Sequence, residues 1–205
     1  MTVGLYAVKP RFRRSLRGVE RRLVSRGATA DGITIAGLGC SVAAAGSLAG
    51  STALPLLLLA VPPLAVARLA CNALDGMVAA TTRTARPAGQ VLNEMCDRLA
   101  DCAIVGAVAV RAGSPWAGFA ALCLVSLSSA VGVASAAAGG RRQYGGVMGK
   151  ADRMLLLALA TPAALLFRVD TALTGWLLAV AAGAAITLVQ RSLAIRGELS
   201  GAAPR

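Results

Sequence analysis

Six apolar stretches run through most of the chain, at about Ile33 to Gly50, Ala53 to Cys71, Val91 to Ala112, Trp116 to Ala138, Met154 to Phe167 and Thr171 to Leu193. A helix crossing the hydrocarbon layer needs about 20 residues, range roughly 17–25, and lipid offers no partner for an open backbone, so such runs are helical. The fifth stretch is long enough only if it begins near Lys150, with Lys150 and Arg153 extending their charges to the interface. The expected fold class is all-α: an integral membrane bundle of six transmembrane helices. Composition agrees, because only 15% of residues are charged and 57% are hydrophobic, against roughly 25% charged in soluble chains.

Ahead of the first span, "KPRFRRSLRGVERRLVSR" sets Phe12, Leu16, Val19 and Leu23 on one helical stripe with arginines around the rest. This is the pattern of an amphipathic helix lying at the interface. The net charge of +12 is assigned to anionic membrane lipids and not to nucleic acid, since no aromatic or glycine-rich stacking motif accompanies it. About thirty polar or amphipathic residues precede the first apolar run, so no cleaved signal is expected. The division is residues 1–30, a basic juxtamembrane segment; 31–196, the membrane domain; and 197–205, a tail.

Loop charges set the orientation. Arg83, Arg86, Arg141, Arg142, Lys150, Arg153, Arg191 and Arg196 fall on the side of the N-terminal arginines, and the other side holds little beyond Arg111 and Arg168. By the positive-inside rule both termini are cytoplasmic. Gly50-Ser51, Gly113-Ser114-Pro115 and Gly139-Gly140 fall between spans, whereas Pro55, Pro62, Pro63 and Pro162 fall inside them. The five cysteines lack metal-ligand spacing and read as small packing residues.

Four of the nine acidic residues, Asp75, Glu94, Asp97 and Asp101, gather on either side of the turn between the second and third spans. Asn72 and Asp75 share one helical face, and Asn93, Asp97 and Asp101 recur every four residues on another. A carboxylate at the centre of a span costs roughly 2.5–3.5 kcal/mol, and clustered acids repel one another. A divalent cation relieves both costs. The chain has no histidine, so the ion expected is a hard one on oxygen ligands. A lone acid would instead be read as solvating a helix end, with Arg68 and Arg98 as partners; the combined spacing favours the cation.

The stretch "NALDGMVAATTRTARPAGQVLNEMCDRLAD" resembles the signature of the CDP-alcohol phosphatidyltransferase family, D-x2-D-G-x2-A-R followed after about eight residues by G-x3-D-x3-D. Asp75, Gly76, Ala79, Gly89 and Asp97 match it in spacing. Asn72 and Asn93 stand at the first and third aspartate positions, and Ala80 at the arginine. "TADGIT" before the first span is similar to the family's T-P-N-x-x-T opening, and "GKADRM" to a basic motif at its fifth span. The resemblance implies transfer of a phosphatidyl group from CDP-diacylglycerol to a polar alcohol acceptor with release of CMP, dependence on Mg2+ or Mn2+, a site facing the cytoplasm from the cytoplasmic membrane, and a homodimer.

It also implies roles. Asp97 would be the general base; Asp75, Asn72, Asn93 and Asp97, with Glu94 and Asp101 in support, would be metal ligands. Gly76, Ala79 and Gly89 would border the nucleotide, and Arg83, Arg86, Arg141, Arg142, Lys150 and Arg153 the phosphates of donor or acceptor. Two other classes compete: a catalytically silent relative that binds CDP-lipid or acts as a scaffold, favoured by Asn72, Asn93 and Ala80, and, further off, a transporter, disfavoured because the acids lie at one membrane face.

Overall fold

A computed structural model describes residues 9–201; the first eight residues of the juxtamembrane segment and the last four of the tail lie outside them. Every regular element among the described residues is helical: α1 (Lys9–Ser25), α2 (Ala30–Gly50), a 3-10 segment (Pro55–Ala60), α3 (Val61–Thr81), α4 (Pro87–Arg111), α5 (Pro115–Ala137), α6 (Lys150–Leu166) and α7 (Val169–Gly201).

Helix starts follow local chemistry. Pro87 and Pro115 open α4 and α5, where the missing N–H has no partner to lose. Thr29 caps α2 by accepting a hydrogen bond from the Gly32 N–H at 3.1 Å. Pro55, Pro62 and Pro63 break what the sequence suggested was one continuous span: the leucine run forms a 3-10 turn, and α3 begins at Val61 and continues ten residues past Cys71, to Thr81. Helix α6 does begin at Lys150, as its length required.

Helix α2 packs against both α3 and α4, α5 lies along α7, and α6 closes against α3 and α7. The core is a continuous apolar cluster that includes Leu48, Leu58, Ile104, Leu157, Leu173 and Leu177. Where α4 meets α5, a Cβ on Gly118 would stand 2.3 Å from that of Ala109, so the glycine permits a close crossing of the kind small residues give membrane helices. Leu56, Leu159, Leu166, Phe119 and Trp116 point outward, as a lipid-facing surface requires. Cys96 is buried, but Cys102 is exposed on α4, so packing does not account for all the cysteines.

Four helical stretches among the described residues are long and apolar enough to cross a membrane: Ala30–Gly50, Pro55–Thr81, Pro115–Ala137 and Val169–Ser200. The chain is thus an all-α integral membrane protein. Helices α4 and α6 lie within the same bundle; α6 is 17 residues long and α4 carries the acids, and the count of six spans goes beyond these four. Helix α1 does more than float on the interface. Its Leu16 and Leu23 pack with Ile33, Leu74 and Val78 of α2 and α3, while Val19, of the same predicted stripe, is 44% exposed.

Candidate active site

The acidic stripes meet at the end of the bundle formed by the start of α2, the end of α3 and the starts of α4 and α6. Helix periodicity places Asn72 and Asp75 on one face of α3 and Asn93, Asp97 and Asp101 on one face of α4. Asp75, Asp97 and Asp101 are all buried, at 7%, 7% and 4% exposed.

Buried charge survives only with partners, and here they are mostly basic side chains. Asp97 Oδ1 accepts a hydrogen bond from Arg68 Nη2 at 2.5 Å, and its Oδ2 accepts one from Lys150 Nζ. Asp101 receives Arg153 Nη2 at 2.9 Å and 3.0 Å on its two oxygens, and Arg98 Nη2 lies 3.3 Å from its Oδ2. Glu94 is paired with Arg142 and, at 3.4 Å, with Arg98. Three acids on successive turns of α4 are therefore matched by Arg142, Lys150 and Arg153 from the α5–α6 loop and α6. The pairing with Arg68 and Arg98 that the sequence offered for an isolated acid is present at all three.

Asp75 differs from its neighbours. Its oxygens accept only from the Thr34 hydroxyl at 3.0 Å and the Gly76 N–H at 2.6 Å, and it lies within electrostatic range of Asp97 and Lys150. The "TADGIT" motif thus reaches the site twice, Thr29 fixing the start of α2 and Thr34 holding Asp75. Five polar atoms in this cluster are buried without a hydrogen-bond partner: Arg98 Nε and Nη1, Arg153 Nε, and, nearer Asp75, Asn93 Oδ1 and Asn72 Nδ2. Such orphans are rare in folded proteins; the last two mark where a ligand's polar atoms would be received.

A Cβ on Gly76 would meet nothing within 4 Å, so α3 presents open space beside Asp75. Ala79 is half-buried one turn further on. Gly89 faces Asp31, whose Oδ1 would lie 3.4 Å from an added Cβ. Arg86 is engaged by Asp31, and Arg83 sits in the exposed turn with a left-handed φ of 56°. Neither faces the acids, nor does Arg141, whose side chain is exposed.

A cavity of about 390 Å³ between α1 and the end of α3 was not foreseen. Arg13, Arg14, Arg17, Glu20, Met77, Ala80 and Thr81 line it, with the Thr81 hydroxyl donating to Glu20 Oε1 at 2.6 Å. Three arginines thus surround the position where the sequence pattern expects one. The signal was available in the arginine spacing of α1, but nothing in the sequence said that α1 folds back on α3.

No family model matches the sequence. Over 156 residues the chain is 33% identical to the inner membrane protein YnbA of Escherichia coli K12, covering 76% of this chain and 77% of that protein. The phosphatidylinositol phosphate synthase PgsA1 of Mycobacterium tuberculosis, solved with CDP-DAG bound, shares its fold with a TM-score of 0.72 at 25% identity, over 92% of this chain and 96% of that one. The chain belongs to the CDP-alcohol phosphatidyltransferase family. PgsA1 in complex with manganese and citrate superposes with a TM-score of 0.71 at 24% identity, over 92% of this chain and 91% of that one. For a member of this family, the resident pairing of acids with arginine and lysine is the main local feature to explain.

The donor set bears on which ion it can take. Asp75, held only by neutral donors, and the unpartnered Asn93 Oδ1 are hard oxygen ligands suited to Mg2+ or Mn2+. Both oxygens of Asp97 are engaged by cations, and among the described residues no three Asp, Glu, His or Cys side chains are gathered to hold a metal. Asp75 and Asn93 are thus the oxygen groups left open to a hard divalent ion.

Proposed function

We propose that the chain is a phosphatidyltransferase of membrane phospholipid synthesis, moving the phosphatidyl group of CDP-diacylglycerol onto the hydroxyl of a polar alcohol and releasing CMP. The observation that carries this is the convergence of Asn72 and Asp75 from α3, Asp97 from α4 and Lys150 from α6 on one buried point, beside the open space at Gly76. Asp75 and Asn93 would hold a Mg2+ or Mn2+ ion, with Glu94 and Asp101 contributing charge nearby; the Asn72 oxygen that the sequence pattern assigns to the ion accepts from Arg68 instead. Such an ion supplies neutralisation of the diphosphate and polarisation of the attacked phosphorus.

Asp97 is the general base in this reading. Its two cationic partners differ in freedom: the Arg68 side chain is 3% exposed and that of Lys150 28%. Lys150 is the one able to swing to a phosphate, leaving Asp97 Oδ2 to take the acceptor's hydroxyl proton. Gly76, Ala79 and Gly89 border the nucleotide. Arg13, Arg14 and Arg17 supply the positive charge that Ala80 lacks, ahead of Arg83, Arg86 and Arg141; Arg142 and Arg153 hold the acids of α4 in register.

In this reading the six helices after α1 all span the cytoplasmic membrane, the site faces the cytoplasm with both termini, α1 rests on anionic lipids, and two copies pair as a homodimer. With the five cysteines replaced, Ser114→Cys should then label from outside intact cells and Gln90→Cys should not; the reverse pattern refutes the orientation.

The deciding assay is CMP release from CDP-diacylglycerol by the purified protein with Mg2+ or Mn2+, over a panel including glycerol phosphate, inositol phosphate and serine. Turnover with one acceptor supports the enzyme. The full pairing of the α4 acids favours a second reading, a silent CDP-lipid-binding relative, and lipid binding without CMP release from any acceptor would establish that one.

A further inference from the structure

The guanidinium of Arg68 lies between the two stripes. Its Nη1 donates to Asn72 Oδ1 at 2.6 Å and its Nη2 to Asp97 Oδ1 at 2.5 Å, linking α3 to α4 through two of the oxygens that the sequence pattern assigns to metal. The side chain is 3% exposed, so this is no surface charge that happened to find a carboxylate.

The fold makes room for it. Across from Arg68 on α2 stands Gly37, where an added Cβ would lie 2.8 Å from Nη1 and 3.0 Å from the Cβ of Cys71. Any larger residue at position 37 would push the guanidinium off the oxygens. The charges agree with this placement. Asn72 and Asn93 leave Asp75 and Asp97 as the only acids at the four signature positions, and Arg68 neutralises one unit of what remains. Asn93 Oδ1 meanwhile stays buried without a partner, so the site still has an acceptor to fill.

We propose that Arg68 is a resident cation of this site, standing in for one divalent ion, so that the chain binds a single Mg2+ or Mn2+ where four carboxylates would support two. This rests on the phosphatidyltransferase reading for its purpose, but its chemistry stands alone: a fixed +1 between Asn72 and Asp97 repels a metal ion at that point and takes the oxygens the ion would need. Arg68 is a positioning residue here. It holds Asp97 in place without meeting the reacting atoms.

The test is a Mn2+ titration of the full-length protein in detergent, following free Mn2+ by electron paramagnetic resonance. The wild type should bind one Mn2+ per chain. Arg68→Gln should bind a second, or tighten the first by about tenfold or more, since a unit charge a few ångströms away has been removed. Arg68→Lys, which keeps the charge, should retain one. Gly37→Ala displaces the guanidinium without altering any ligand or charge; it should tighten Mn2+ in the same direction by less, and it keeps the test alive if Arg68→Gln does not fold. Two ions on the wild type, no Mn2+ on either protein, or an affinity unmoved in both Arg68→Gln and Gly37→Ala overturns the proposal. Failure of the enzyme reading looks different: one Mn2+ that responds to Arg68→Gln, with no CMP released from any acceptor, leaves the resident cation standing and removes the transferase. CMP release with two ions bound does the opposite.

Discussion

At one end of the bundle Arg153 and Asp101 meet with side chains 4% and 6% exposed; at the other Arg111 reaches Asp170, whose side chain is 61% exposed, and donates from Nε to Ser51 Oγ at 3.0 Å. The same chemical pair serves different ends. The exposed one joins the ends of α2 and α4 to the start of α7 and belongs to the class worth about 0–1 kcal/mol. Burying the other takes two ions out of water, a cost their attraction often fails to recover, and apolar replacements of such pairs are often neutral or stabilising. A bundle built only for stability would have no use for four buried or half-buried acids at one end. Their number is what sets this end apart from a helix tie.

Asp97→Asn tests this contrast hardest. The amide keeps the size but cannot take a proton, so turnover should fall by roughly 10²–10⁴-fold with CDP-lipid binding nearly intact; unchanged CMP release would remove Asp97 as the base. Next comes Arg153→Met, which leaves Asp101 short of its buried partner and should cost about 3–5 kcal/mol, measured by chemical unfolding in detergent, with Arg153→Met/Asp101→Leu recovering much of it. Gly118→Val, near the Arg111 end and away from the acids, should cost about 1–3 kcal/mol by forcing α5 away from Ala109, with CMP release per folded molecule unaltered. Asp170→Asn should change stability by less than about 1 kcal/mol. A loss there as large as that of Arg153→Met would erase the distinction between the two ends.

Much of this layout was legible in the sequence. The arginine-studded stripe gave α1 to within a residue, and the need for length put the start of α6 at Lys150. Hydropathy alone ends at Cys71, because it reports where lipid is met and not where a helix stops; the shared face of Asn72 and Asp75 required the helix to run on, and its backbone bonds continue to Thr81. The leucines before Val61 looked helical for the converse reason, and Pro62 and Pro63 decided otherwise. The carboxylate spacing located the cluster, yet its pairing with Lys150 and Arg153 joins residues more than fifty positions apart, which no periodicity can report. Arg68 was nearer to hand. It stands four residues before Asn72, on the same face, and its role became visible only when α2 proved to have a glycine opposite.

Helix α7 runs for 33 residues, about 50 Å at 1.5 Å per residue, well beyond the roughly 30 Å of hydrocarbon it has to cross. Its surplus turns carry Glu198, which accepts from the Arg141 N–H at 2.8 Å and the Gln143 side chain at 2.7 Å. Further back, Arg191 clasps the carbonyls of Gly145 and Ser128. The loop that delivers Arg142 to Glu94 is therefore splinted by the last helix of the chain, and the register of the α4 acids is tied to that helix's final turns.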